Sequence, residues 1–122
     1  MKKVNVELAG KKWQLVELNG QPIEANSKLQ NIPFVSFTQE ESRVSGNSGC
    51  NSFGGTYELK EGNRIYFSQM FSTKMACPDM AIEDQFLAML GKVDNYNVTE
   101  DELILNKAKM APLAKFKAVY FE

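Results

Sequence analysis

Gly46-Asn47-Ser48-Gly49-Cys50-Asn51-Ser52-Phe53-Gly54-Gly55 is the stretch on which the fold turns. Glycine opens backbone conformations closed to other residues, and Asn and Ser side chains fold back onto nearby main chain. The spacing of Gly49 and Gly54 approaches that of a phosphate-binding loop. That motif needs a lysine where Gly55 stands, and a helix where the strand-like Thr56-Tyr57-Glu58-Leu59 follows. The reading that fits is a tight, bulged corner between strands of a barrel.

Outward from this corner, Cys50 has one possible partner, Cys77, in Ser72-Thr73-Lys74-Met75-Ala76-Cys77-Pro78. As a disulfide candidate, Cys50 and Cys77 would close a loop of about 28 residues, a stabilisation of about 3.5 kcal/mol in the chain-entropy account. Two alternatives stay open. Both residues would also pack as small apolar thiols, and Cys77, beside Lys74 and a helix N-terminus, would favour its thiolate.

The flanking sequence alternates in the manner of strands. Lys12 to Leu18 runs into Asn19-Gly20, a turn signal, and Gln21 to Gln30 reads as a polar loop. Strands are expected at Ile32–Phe37, Arg43–Ser45, Thr56–Leu59, Arg64–Ser68, Tyr96–Thr99, Glu102–Leu105 and Leu113–Phe121. In the last of these, Lys115 and Lys117 share one face and Phe116 and Ala118 the other. One helix is expected from Pro78 to Gly91, with Asp79 and Glu83 at its positive end. Ile82, Phe86 and Leu90 recur at helical spacing, widened by Leu87 and Met89. The fold class is therefore mainly β: a small, barrel-like antiparallel sheet of seven or eight strands with one helix packed against it. Residues 1–122 form one domain.

Composition excludes several activities. Fourteen basic against fifteen acidic residues, a net charge of −1, leave no footprint for nucleic acid. Histidine is absent, which removes Ser-His and Cys-His nucleophiles and His-ligated metals. No apolar run reaches the ~20 residues of a membrane span. Met1 to Gly10 reads as an N-terminal extension: Lys2-Lys3 faintly echoes a signal peptide, but Asn5 and Glu7 interrupt the apolar stretch. Either a leader has been removed or the start is cytoplasmic.

Among carboxylates, Glu58 and Glu83 would make an acid–base pair if the fold joined them, although solvated surface is the plainer role. Glu83 would instead serve structurally by accepting hydrogen bonds from the glycine-rich loop. Met70, Met75, Met80, Met89 and Met110 would fill the core or line an adaptable pocket. Trp13, Phe34, Phe37, Phe67 and Phe86 would line the barrel interior, solid or hollow. Exposed amides and side chains of Asn47, Ser48, Asn51, Ser52 and Lys74 form the expected recognition surface.

These residues together resemble a known family. Leu8-Ala9-Gly10, Trp13-x-Leu15, Leu18-Asn19-Gly20-x-Pro22, Val44-Ser45-Gly46, Gly49-Cys50-Asn51 and Gly55-x-Tyr57 are similar to META-domain, HslJ-like proteins. So are Thr73-Lys74-Met75-Ala76-Cys77, Glu83-x-x-Phe86-x-x-x-Leu90 and the stretch from Leu103 to Phe116. The resemblance spans nearly the whole chain. It implies a small β barrel with one helix, in a family of envelope lipoproteins and secreted domains associated with heat shock, novobiocin resistance or secretion. It supplies no catalytic residues and no cofactor. The lipid-attachment cysteine of such lipoproteins has no counterpart here. The expectation is a monomeric, non-catalytic, extracytoplasmic domain that meets an unknown envelope protein in stress. The alternative is a binder of a small hydrophobic ligand, lipid or drug, inside the barrel.

Overall fold

Alternation of buried and exposed side chains organises the molecule from its first strand. The computed structural model describes residues 8–23, 32–38, 42–77, 80–108 and 112–119. Strand β1 (Lys12–Leu18) turns Trp13 and Leu15 inward. Strict alternation would then put Leu18 outside. A bulge against the last strand, between Leu15 and Glu17, inserts one residue and returns Leu18 to the core.

The other strands are β2 (Gln21–Pro22), β3 (Phe34–Thr38), β4 (Arg43–Asn47), β5 (Ser52–Lys60), β6 (Arg64–Ser72), β7 (Asn95–Val98), β8 (Glu102–Asn106) and β9 (Ala114–Val119). One helix, α1 (Ala81–Leu90), lies between β6 and β7. Neighbours pair antiparallel in the order β2-β1-β3-β4-β5-β6-β7-β8-β9, and β1 also pairs with β9, so the sheet closes on itself. The short β2, on a segment expected to be loop, is a spur on β1.

The ring is uneven. Strands β5 and β6 pair along most of their nine residues, whereas β6 meets β7 at a single register pair, Arg64 with Asn95. The helix reaches across this ring: Phe86 packs between Phe53 of β5 and Phe116 of β9, at centroid distances of 5.7 and 6.1 Å. Trp13, Phe86, Phe116, Ile65, Val35, Leu103 and Leu105 are wholly inaccessible and fill the interior. At ~1.5–3 kcal/mol for each large side chain, this burial is the main stabilising term.

Trp13 needs more than burial, because its indole N–H must find an acceptor. It donates to the Leu8 carbonyl at 3.0 Å and so ties residues 8–10 to the barrel. Of the expected interior aromatics, Trp13, Phe37 and Phe86 are in the core and Phe67 packs at its margin. Phe34 is not. It points outward, where Lys12 Nζ sits 4.4 Å from its ring centroid, because Val35 and Phe37 take the inward positions of β3.

Candidate functional site

The glycine-rich corner is built around a buried carboxylate. Residues 48–51 connect β4 to β5, and Gly49 adopts φ 118°, a value that favours glycine. This lets consecutive main-chain N–H groups converge on Glu83, from the first turn of α1. Glu83 Oε1 accepts from Cys50 N at 3.0 Å, Asn51 N at 2.7 Å and Ser48 Oγ at 2.7 Å. Oε2 accepts a short bond from Asn51 Nδ2. Glu83 is only 3% exposed. Burial alone pushes its pKa up, but the bonds from Asn51 side chain and backbone, Ser48 and Cys50 outweigh that cost and hold the pKa below its ordinary value.

Asn51 links this carboxylate to the next segment. Its Oδ1 accepts from Met75 N at 2.7 Å and Thr73 Oγ1 at 2.8 Å, while Nδ2 donates to Met75 O at 3.1 Å. The amide thus pairs with Met75 as a neighbouring strand would. Two residues on, Cys77 is bonded to Cys50, with their Cα atoms 6.2 Å apart. Residues 73–77 form a strap fastened to the corner by the Asn51 amide, by paired bonds between Thr73 and Ser52, and by one covalent bond. The disulfide candidate is therefore realised, and neither cysteine is a free thiol. The proposed helix start at Pro78 and Asp79 lies outside the described residues. The helix itself begins at Ala81, after Met80.

The five expected surface residues separate. Ser48 and Asn51 are buried, with their polar groups turned onto Glu83 and Met75. The amides expected to await an outside acceptor are already occupied by an internal one. Asn47 is half-buried and accepts from Gly49 N at 2.8 Å, whereas Ser52 and Lys74 are exposed. Glu58 and Glu83 are not brought together, for Glu58 is exposed beside Lys60 on β5. The structural role expected for Glu83 is the one it has. Met89 lies in the core, Met70 packs against it, and Met75 is 53% exposed; Met110 lies outside the described residues. Among the described residues no three His, Cys, Asp or Glu side chains gather as a metal ligand set. Among them, too, no helix is long and apolar enough to cross a membrane.

Among the described residues, an apolar recess opens on the outside of the barrel. It has a volume of about 280 Å3, between the ends of β5 and β6 and the last turns of α1, and is lined mainly by Phe53, Met70, Phe71, Leu87 and Leu90. Lys74 of the strap also lines it. Sequence reasoning did not find this recess. Phe71 lies beyond the expected strand Arg64–Ser68, and only the structure shows it to be 61% exposed.

A family model described as META domain matches residues 6–120. No curated protein matches the chain at a significant level. An NMR structure of a protein from Burkholderia xenovorans is 24% identical, with a TM-score of 0.71, covering 92% of this chain and 83% of that one. Another NMR structure is 22% identical, with a TM-score of 0.68 over 95% of this chain and 94% of that one. The crystal structure of a DUF4847 family protein from Bacteroides vulgatus is 16% identical, with a TM-score of 0.65 over 94% and 96%. Each likeness is one of fold.

Proposed function

Because the chain belongs to the META-domain family, we propose that it works without catalysis, as an extracytoplasmic recognition module of the cell envelope under stress. The observation that carries this reading is the fastened strap. A disulfide and the Asn51 amide hold residues 73–77 rigidly, with apolar side chains turned to solvent. Two of the large hydrophobics exposed among the described residues, Phe71 and Met75, stand four positions apart on and beside it. Exposed apolar groups gathered on a rigid frame favour a partner surface. Structural disulfides persist in oxidising compartments, which favours the extracytoplasmic location. The buried carboxylate Glu83 is saturated with donors and stays ionised near neutrality, so it is poorly suited to proton transfer.

Two measurements test this. In cells of the source organism, acid quenching followed by maleimide labelling should find Cys50 and Cys77 protected until reductant is added. Free thiols in the intact cell would overturn the compartment. A strain lacking the gene should regain growth under envelope stress with the parent chain, but not with Phe71→Ser/Met75→Ser, which should melt with the parent. Full rescue by that variant would overturn the recognition surface.

A second reading, binding of a small hydrophobic ligand, has its own observation in the 280 Å3 recess. Its place would be outside the barrel, between α1 and the β5–β6 edge.

A further inference from the structure

We infer that the recess between α1 and the β5–β6 edge takes a single-chain aliphatic carboxylate of about eight to ten carbons, its tail on Leu87 and Leu90 and its head at Lys74. This assignment rests on the small-ligand reading above and specifies its chemistry. Three features lead to it.

The first is size. A recess of about 280 Å3 is on the scale of a short alkyl chain and below the range of most sites for bulky ligands. The second is the lining. Phe53, Met70, Phe71, Leu87 and Leu90 offer aromatic, thioether and branched aliphatic surface, and no carboxylate among the described residues lines the recess. Met70 is a flexible side chain that adapts to a chain of variable shape.

The third is charge. Among the described residues, Lys74 is the one basic or acidic residue on the lining, it is exposed, and it has no ion-pair partner. Glu83, one turn before Leu87 on α1, directs its carboxylate into the 48–51 corner instead. The recess is also lined by Leu90 and Gly91, at the C-terminal end of α1, where the helix dipole repels an anion. The polar head is thereby steered to Lys74 and the tail to the helix. A cationic amphiphile would meet the reverse field at Lys74. The strap holds Lys74 in place through Thr73 and Met75, its bonded neighbours on either side.

The test is a titration of the disulfide-bonded protein with hexanoate, octanoate, decanoate, dodecanoate and 1-decanol, all below their micelle concentrations. The readout is the methyl NMR shifts of Met70, Leu87 and Leu90. Affinity should rise by up to about fourfold per added methylene and level off near ten carbons. Lys74→Met should weaken decanoate by about fivefold, as loss of a partly exposed charge pair does, and leave decanol unchanged. Lys74→Arg should restore decanoate binding. Leu87→Trp, which fills the recess from its half-buried position, should abolish the shifts with every chain. Equal binding of decanol and decanoate, indifferent to Lys74→Met, would overturn the carboxylate assignment while keeping the small-ligand reading. Absence of these shifts with every alkyl chain would overturn both.

Discussion

Replacing Glu83 by Gln keeps shape and removes charge, and so isolates what the buried carboxylate contributes. The amide oxygen of the substituted side chain would keep Cys50 N, Asn51 N and Ser48 Oγ as donors, since turning it over would set its NH2 against the two main-chain N–H groups. Its nitrogen then faces Asn51 Nδ2, donor against donor. Asn51 has no escape by flipping, because its Oδ1 holds Met75 N and Thr73 Oγ1 and its Nδ2 holds Met75 O. One bond to a charged group is lost, and three more change from charged to neutral. Charged bonds contribute ~1.5–3 kcal/mol and neutral ones ~0.5–1.5. The cheaper desolvation of an amide returns part of the difference. A net loss of about 3 kcal/mol follows, which for a domain this size lowers Tm by about 12 °C. Calorimetry of Glu83→Gln beside the parent measures it, and a Tm within about 2 °C of the parent would refute the reasoning.

The same pair carries a pH test. The folded pKa of Glu83 lies below its ordinary 4.5, so the unfolded chain binds the proton first as pH falls. The carboxylate's contribution is complete above about 4.5 and is lost as pH drops through the lower folded value. The parent should therefore approach the stability of Glu83→Gln under acid. The slope that remains in the variant belongs partly to Asp94, whose pKa is also lowered, chiefly by the Ala108 N–H and the Asn95 amide.

Three other outcomes are expected. Cys50→Ala/Cys77→Ala should lose about 3.5 kcal/mol by urea denaturation yet keep its near-ultraviolet dichroism, because Glu83 still gathers the corner; a chain unfolded at room temperature would show that the corner has no hold of its own. Asn51→Asp places two carboxylates in contact, raising the pKa of one of them, so its deficit against the parent should shrink as pH is lowered from about 7 to about 4. A deficit independent of pH would contradict this. Gly46→Ala drives a methyl into the main-chain carbonyl of Phe34 on the neighbouring strand, and the urea midpoint should report a loss of about 2–3 kcal/mol.

Much of this molecule is decided by near neighbours in the chain. The β5–β6 hairpin follows from alternation around Glu61-Gly62-Asn63, where Gly62 and Asn63 both take positive φ. The helix follows from the spacing of Ile82, Phe86 and Leu90, and the inward and outward faces of β9 from Phe116 against Lys115 and Lys117. These features need only periodicity and turn chemistry, so sequence alone determined them, as it did the lack of histidine chemistry. Tertiary structure decided the rest. Glu83 lies 32 to 35 positions from the donors that bind it, and no local pattern reveals which carboxylate a loop will enclose. That long-range pairing turned Ser48 and Asn51 from expected surface into core. The outward face of Phe34 and the recess beside Lys74 likewise exist only once strand register, a bulge and the helix's path are set together. Periodicity assigns a residue to a face; contact between distant segments determines what that face meets.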